Sequence, residues 1–588
     1  MIRLLAGLLF SLFSFATPSI LLGAATPPQP AQPVKPSPIL KAMDLELGRS
    51  IASLQHANPP AYFVSYAVTG QTEVTVQGSN GALLESDQEH NRLLQTQVRV
   101  GSYQFDDTHN IGDRSMSQSS GPMLVPLDDN IPVFRRDIWL STDEQYRNAA
   151  AAYIRVKTSR QVQVQNAETT VADFSHEQPH VAYLPLVSMD LNRRPWEERV
   201  RRYTAAFSAS PAVMNSIATF TASATNQYFA SSEGTREQFG QIHYRLELYL
   251  QGKAPDGMNL GLYGTFDWVN PANAPSNQKV MAEVHKLIGE MQALQKAPVV
   301  EPFAGPTLLS GPAAAVFFHE VLGHRLEGFR QKQLTEGQTF TKKVGQVIMP
   351  TFLSVYDDPT LKEINGHALT GYYPFDDEGV PAQRVTLVDH GVLKNFLMSR
   401  SPLPGFPHSN GHGRRQLGYQ PIARMGNTIV RSSNGVPFAR LRKMLIQMIR
   451  RENKPFGLLI EDLSGGFTIT GRAEPQAFQL EPLIVYKVFP DGRPDELVRG
   501  ANIVGTPLTD LTHIVATGDR ESVFNGFCVD ESGAVPVTAD APAMLFSQLE
   551  VAEKETSTDK PPILPPPAHD PLSPEPRGVK PTPWGQLR

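Results

Sequence analysis

The chain has 588 residues, of which 53 are basic and 58 acidic, and its formal net charge is −5 at pH 7. This length exceeds one compact domain, and the mild charge without any lysine/arginine block argues against a nucleic-acid partner. A single cysteine excludes an intramolecular disulfide.

The N-terminus has the layout of a secretory signal peptide. Arg3 precedes an apolar stretch that Pro18 interrupts, and small residues follow at 23–25, where cleavage is favoured. We therefore predict a signal peptide over 1–25 and an exported protein, periplasmic or secreted. The alternative is an uncleaved membrane anchor, because the apolar stretch is nearly long enough to span a bilayer.

The next 270 residues change from helical to strand-like patterns. A Pro-rich linker over 26–38 precedes a helix, in which apolar residues from Leu40 to Leu54 recur at spacings of three and four. Strand-like segments dominate from about 60 to 270. A second helix follows over 277–295, with Ser276 as its N-cap.

The stretch "APVVEPFAGP" indicates a boundary near residue 300, so we place the first domain at 39–300 and the second at 301–552. The second domain opens with a short strand and a helix that starts at Gly311 and Pro312. Two hairpins are predicted, one turning at 389–391 and one near 491–492. The Pro-rich tail over 553–588 lacks the composition for a packed core.

The helix of the second domain contains "HEVLGH". His319 and His324 are five residues apart, so they lie about 140° apart around an ideal α-helix, whereas a four-residue spacing gives about 40°. A π-type turn of about 4.4 residues would bring both imidazoles to one side, and Gly323 can relax the backbone there. The motif predicts a zinc site with Glu320 as general base; the alternative is a helix face with two hydrogen-bonded histidines.

A third ligand must come from elsewhere in the chain. Cys528 is the lone thiol, in "NGFCVDESGAVPVT". A thiolate is a strong zinc ligand, and metal binding would account for a solitary thiol in an exported protein. The alternative is a small buried hydrophobic residue.

These motifs carry a family resemblance. "GPAAAVFFHEVLGHRLEG" is similar to the HExxxH helix of the TldD/PmbA metalloproteases, and "GHGRRQLGYQPIARMGNTIV", "GLLIEDLSGGFTITGRAEPQAF" and "GFCVDESGAVPVT" continue the likeness in the family's order. The resemblance covers most of residues 300–550, and residues 40–300 match only loosely.

The resemblance implies an α+β protein, with an N-terminal α/β domain and a strand-rich, barrel-like C-terminal domain. It implies Zn²⁺ held by His319, His324 and Cys528, with Glu320 catalytic, as in the active TldD branch. It also implies unfolded peptides as substrates, and a homodimer or a heterodimer with a TldD/PmbA-like paralogue. The signal peptide and the Pro-rich tail depart from the cytoplasmic members, which puts the identity of the partner in doubt.

Three further segments have alternative interpretations. His412 lies in a Gly-flanked loop and is a candidate for substrate binding or an ordinary loop residue. Gly465 and Gly466 precede a strand edge that would accept an extended peptide, or form a tight turn. The acidic run over 376–378 suggests a cation site, but a solvated turn is the expected structure.

The leading hypothesis is a zinc-dependent peptidase that hydrolyses unfolded or extended polypeptides. The alternative is a non-catalytic, peptide-binding or partner subunit of a TldD/PmbA-like complex. A metal hydrolase with a non-peptide substrate is a third possibility, since residue types alone do not separate it from the first.

Overall fold

The computed structural model describes residues 34–109, 121–162, 171–333, 335–473 and 476–554, together with residues 560 and 562. The predicted signal peptide and nearly all of the predicted tail lie outside these residues. From Pro36 onward the described chain forms one compact unit. Within the described ranges, no helix is long and apolar enough to cross a membrane.

The α-helices of the described residues occur in both halves. They are α1 (Pro38–Leu54), α2 (Ile131–Val162), α3 (Arg194–Ser208), α4 (Asn277–Lys296), α5 (Gly311–Phe318), α6 (Gly328–Lys332), α7 (Phe438–Arg451) and α8 (Pro507–Thr512). The predicted helices at 40–54 and 277–295 are confirmed, and the Ser276 side chain accepts a hydrogen bond from Lys279 N at the start of α4.

The first half contains strands β1 (Ala61–Ser79), β2 (Ala82–Ser102), β3 (Phe105–Asp106), β4 (Met123–Leu124), β5 (Val181–Tyr183), β6 (Asn215–Ser231), β7 (Arg236–Lys253) and β8 (Asn259–Trp268). They form one sheet whose main order is β3-β2-β1-β6-β7-β5, with β4 beside β2 and β8 beside β7. All pairs except β5–β7 are antiparallel.

Helices cover one face of this sheet, because alternate side chains of the long strands are apolar. Val64 and Val76 of β1 are fully buried at the two ends of the strand. At one end, Trp196 of α3 stacks on Phe220 of β6 with ring centroids 3.8 Å apart. Residues of opposite parity, such as Phe229 of β6, face the second half of the chain, where Gly379 lies against the Phe229 ring.

The second half contains β9 (Phe303–Leu309), β10 (Leu353–Asp357), β11 (Glu363–Ile364), β12 (His367–Ala368), β13 (Val385–Asp389), β14 (Val392–Leu393), β15 (Gly413–Arg414), β16 (Ile422–Ala423), β17 (Asn427–Ser432), β18 (Gly435–Val436), β19 (Gly457–Thr468), β20 (Phe478–Val488), β21 (Glu496–Val498), β22 (Ala501–Gly505), β23 (Ile514–Asp530) and β24 (Gly533–Glu553). Both predicted hairpins are present, as β13–β14 and β20–β21.

Five strands of the large sheet close into a barrel-like ring in the order β24-β22-β20-β19-β9, because β9 also pairs with β24. The predicted strand-rich, barrel-like fold is therefore confirmed. Helix α5 packs against β19, β23 and β24. Its sequence, GPAAAVFF, is apolar on every side, as expected for a helix enclosed by a core.

The two halves share a core and polar contacts. Ile484 of β20 belongs to the apolar cluster beneath the first sheet. Arg400 donates to Glu233 at 2.6 Å, and Arg499 donates to Asp256 at 2.7 Å. A cleft lies at this junction, and its walls come from both halves of the chain.

We expect Gly379→Ala to destabilise the junction between the halves. Gly379 has φ +73°, and a Cβ atom there would lie 2.2 Å from the Phe229 ring. Left-handed alanine costs about 1–2 kcal/mol, and forced overpacking adds roughly 1–3 kcal/mol. Gly366→Ala is the matched control, because Gly366 has φ +80° with nothing within 4 Å. Denaturant unfolding should give the larger loss for Gly379→Ala; equal losses would contradict the contact.

Candidate metal centre

The HExxxH segment contains a widened helical turn. Ser310 caps α5 by accepting from Ala313 N, and the α-helix then continues as a π-helical turn over His319–Gly323. This confirms the predicted bulge. A side chain at position 323 is excluded, since a Cβ atom would lie 2.0 Å from Met425 Sδ. The extra residue in the turn brings His319 and His324 together, with ring centroids 5.1 Å apart.

Strand β23 brings the lone thiol to the same point. Cys528 pairs with Val535 of β24, the strand that also packs on α5. Its Sγ lies 3.4 Å from His324 Nε2, although the two residues are 204 positions apart in the chain. His319, His324 and Cys528 are buried, and each offers one ligand atom within 4.8 Å of the others. The structure thus places the three predicted ligands together.

Carboxylates orient the second histidine. His324 Nδ1 lies 3.3 Å from Glu327 Oε2 and 3.5 Å from Asp530 Oδ2. A carboxylate at Nδ1 favours the proton on that nitrogen and leaves Nε2 free to act as a ligand on the side of Cys528. Arg330 contacts both carboxylates, so their charges are compensated inside the protein.

A fully buried arginine connects the HExxxH segment with strand β23. Arg424 Nε lies 3.4 Å from Glu327 Oε1, and its Nη2 donates to the backbone oxygen of Cys528 at 2.7 Å. Its Nη1 also donates to Ser532 Oγ at 2.7 Å. The sequence interpretation missed Glu327, Asp530 and Arg424. For Glu327 and Asp530 the available signal was a charged residue within three positions of a predicted ligand, and Arg424 had no such signal.

The electrostatics suit a cation. Burial raises the pKa of the Cys528 thiol, but the neighbouring His324 and His319 outweigh it and hold that pKa well below its ordinary value. Burial lowers the pKa of His324, but Cys528 and Glu327 outweigh it and raise that pKa well above its ordinary value. A divalent cation would replace the imidazole protons next to the thiolate, since ligand and proton compete for the same lone pairs.

An unpartnered buried atom supports this fit. His319 Nδ1 is buried and has no hydrogen-bond partner among the described residues. Such an atom carries a desolvation cost of about 1–3 kcal/mol unless a ligand, a water molecule or an ion satisfies it. Two imidazoles and a thiolate form a donor set that suits Zn²⁺. The residues present therefore fit a zinc ion.

Glu320 lies beside the three candidate ligands. Its Oε2 is 3.9 Å from His324 Nε2. Gly466 of β19 faces it closely, because a Cβ atom at 466 would lie 3.2 Å from Glu320 Cγ and 2.6 Å from Gln479 O. Gly465 and Gly466 therefore lie at an irregular part of β19, where its register against β20 shifts, and not in a tight turn.

A cavity of about 310 Å³ opens next to Glu320. This volume is within the usual range for ligand sites of about 300–1,000 Å³. Strands β7 and β8 of the first half supply one wall, and the second half supplies the others. The lining residues are Arg245, Glu247, Tyr263, Thr265, Val316, His319, Glu320, Ser464, Gly465, Gly466, Phe524, Asn525, Gly526, Phe527 and Val537.

His412, the candidate for substrate binding, is fully buried. Its Nε2 lies 3.2 Å from Asp357 Oδ1, and its Nδ1 lies 3.0 Å from Asn410 O. Both ring nitrogens thus have partners within the chain. This geometry gives His412 a role in holding its loop and does not place it on a surface that a substrate contacts.

The acidic run over 376–378 was expected to be a solvated turn, and this expectation is wrong. Asp376 and Glu378 are buried. Backbone N–H groups satisfy the carboxylates: Asp376 accepts from Val380 N at 2.9 Å, and Glu378 accepts from Arg400 N at 2.6 Å. The sequence pattern predicted the turn correctly. It did not show that other segments of the chain pack over the turn and bury it.

The second half of the chain, which contains the candidate metal centre, matches a known family of proteins. Residues 304–553 match the family model described as the PmbA/TldA metallopeptidase C-terminal domain. The second half of the chain is thus similar to the C-terminal metallopeptidase domain of the TldD/PmbA family.

Curated relatives carry matching descriptions. A Methanothermobacter thermautotrophicus metalloprotease is 28% identical over 53% of this chain and 64% of its own length. A Haemophilus influenzae metalloprotease TldD homolog is 29% identical over 44% and 51%, respectively. A Saccharolobus solfataricus zinc metalloprotease TldD homolog is 24% identical over 42% and 52%. The chain thus matches about half to two thirds of the length of these relatives.

Solved structures show the same fold. TldE from Thermococcus kodakarensis superposes with a TM-score of 0.56 at 14% identity, covering 87% of this chain and all of that protein. A Thermotoga maritima protein, described as a candidate modulator of a DNA gyrase, has the same TM-score, identity and coverage. At this identity the likeness concerns the fold alone.

We expect Glu327→Gln to weaken zinc binding about 10–100-fold, because the amide orients His324 less firmly and leaves Arg330 and Arg424 less compensated. Competition with a chromogenic chelator measures this affinity without any substrate. Glu531→Gln is the control, since its half-exposed carboxylate is 3.9 Å from Arg330. Equal affinities for the two variants would contradict the orienting role of Glu327.

Proposed function

We propose that this protein is a zinc-dependent peptidase that hydrolyses peptide bonds in extended polypeptides. The observation that carries the proposal is the grouping of three ligand atoms within 4.8 Å, from His319, His324 and Cys528. Glu320 lies beside them and lines the same cavity. The descriptions of relatives as metalloproteases, one of them a zinc metalloprotease, support the same activity.

His319, His324 and Cys528 would hold the zinc ion. When bound, Zn²⁺ supplies Lewis acidity, which polarises a carbonyl group and makes water a stronger acid. Glu327 and Asp530 keep His324 oriented for this task, and Arg424 holds the backbone at Cys528. The ligand positions are therefore set by side chains that do not themselves touch the metal.

Glu320 serves as the proton carrier. It accepts the proton of the attacking water and then delivers a proton to the leaving nitrogen of the cleaved peptide bond. Its position at the cavity wall, 3.9 Å from His324 Nε2, gives it access to both events. The close contact with Gly466 limits the space in which its side chain can move.

The strands around the cavity favour an extended substrate. Between Glu521 and Asp530, β23 pairs with β24 on one edge, and the described strands leave its other edge open. Beyond Ile460, β19 likewise pairs only with β20 among the described strands. An extended peptide can add to such an edge through main-chain hydrogen bonds. A folded domain would not fit a cavity of about 310 Å³.

We also propose export and a partner subunit. The sequence over 1–25 supports an exported, periplasmic or secreted location. The match of residues 304–553 to the PmbA/TldA domain and the fold shared with TldE support a second subunit, either another copy or a TldD/PmbA-like paralogue.

Replacing Glu320 by Gln should lower peptide cleavage by at least about 100-fold, because the amide cannot carry the proton. Zinc content, measured by elemental analysis, should stay near that of the wild type. Glu363→Gln, on the short β11–β12 hairpin, is the control and should cleave normally. If Glu320→Gln kept its peptide cleavage activity, Glu320 would not be a catalytic residue.

Cys528→Ser should lose most of its zinc, because a neutral hydroxyl is a poor substitute for a thiolate. Zinc content at a fixed free concentration measures this loss, and circular dichroism checks that the variant is folded. If wild-type protein is folded without binding zinc, the non-catalytic subunit becomes the better interpretation.

A further inference from the structure

An exposed aromatic side chain lies next to the metal centre. Phe527 directly precedes Cys528 on β23 and is 60% exposed. Successive strand residues point to opposite sides, so Cys528 faces the histidines while Phe527 faces outward. Arg245 of β7 lies across from it, with its guanidinium carbon 5.7 Å from the ring centroid. Phe527 therefore occupies the space between the two halves.

Phe527 is part of a larger apolar wall. Phe524 lies on the Cys528 side of β23 and Phe527 on the other, and both border the same cavity, which Tyr263, Val316, Val537, His319 and Glu320 also line. The Tyr263 hydroxyl is already used, because it donates to Leu463 O at 2.8 Å, and its ring remains at the cavity wall. Burying a Phe side chain stabilises by about 1.5–3 kcal/mol, so an exposed one beside a candidate catalytic group offers that contact to a ligand.

Arg245, a charged residue of the cavity wall, already has two carboxylates nearby. Arg245 Nη1 lies 3.3 Å from Asp267 Oδ1, and Arg245 Nε lies 3.5 Å from Glu247 Oε2. An acidic substrate side chain would compete with these carboxylates for the guanidinium. The cavity therefore offers more to an apolar side chain than to a charged one.

The position of Phe527 favours a substrate contact over a subunit contact. Val529 lies two residues further along the same side of β23 and is 75% exposed, but it is not one of the residues that line the described cavity. Phe527 shares that cavity with Glu320. A side chain held against Phe527 would thus lie close to the bond that Glu320 acts on.

We propose that Phe527, Phe524, Tyr263, Val316 and Val537 form a specificity pocket for an apolar side chain, aromatic or branched aliphatic, next to the scissile bond. This inference rests on the proposed peptidase function. Discrimination in such pockets amounts to about 1–3 kcal/mol for a small apolar group. The pocket would give a preference among extended peptides and would not define a strict recognition sequence.

The test uses the zinc-loaded full chain and peptides of one scaffold, with Phe, Leu, Ala or Asp at each position in turn. Wild type should cleave next to Phe and Leu with a kcat/KM roughly 10–100-fold above the Ala and Asp peptides. Phe527→Ala should lose most of this preference while Ala peptides change little. Phe438→Ala is the matched control, because Phe438 of α7 is 42% exposed and does not line this cavity.

Two results would overturn the pocket. One is an equal loss of cleavage for all peptides in Phe527→Ala; the other is a changed oligomeric state with an unchanged preference, which assigns Phe527 to a subunit contact. Fluorescence anisotropy with Glu320→Gln measures binding of the same peptides without cleavage. If the wild type cleaves none of these peptides, the proposed peptidase function fails. The binding preference of Glu320→Gln for Phe and Leu peptides then still tests whether the pocket exists.

Discussion

The centre depends on one extra residue in a helical turn. Without the π turn over His319–Gly323, the two imidazoles would point to different sides of the helix, and Cys528 would meet only one of them. Gly323 allows the turn to pack against Met425, because any side chain at position 323 would occupy the space of the Met425 sulfur atom. The rest of the second half, from the barrel-like ring to β23, encloses this turn and delivers the thiol.

Buried charges hold the surrounding geometry. Glu327 contacts His324, Arg330 and Arg424, and Arg424 reaches the backbone oxygen of Cys528. Removing one member of a buried ion pair usually costs about 3–5 kcal/mol, because the remaining charge is left in a low-dielectric interior. These contacts join the helix and β23 in one network. Their contribution lies in fixing the positions of the ligands more than in net stability.

The walls of the cleft come from both halves of the chain. The matched family region starts at residue 304, yet Arg245 of β7 and Tyr263 of β8 precede it and form a cavity wall. The first half thus contributes a wall of the cleft, whereas the three candidate ligands all come from the second half.

Local patterns in the sequence determined helices α1, α4 and α5, the two hairpin turns and the π turn, because spacing and turn residues act over a few positions. The thiol and the histidines were inferred as partners from their chemistry, although 204 residues separate His324 from Cys528. Only the tertiary structure decided that His412 and the acidic turn are buried, that Glu327 orients His324, and that Phe527 faces the cleft. Those outcomes depend on which distant segments pack together, and no local pattern encodes such contacts.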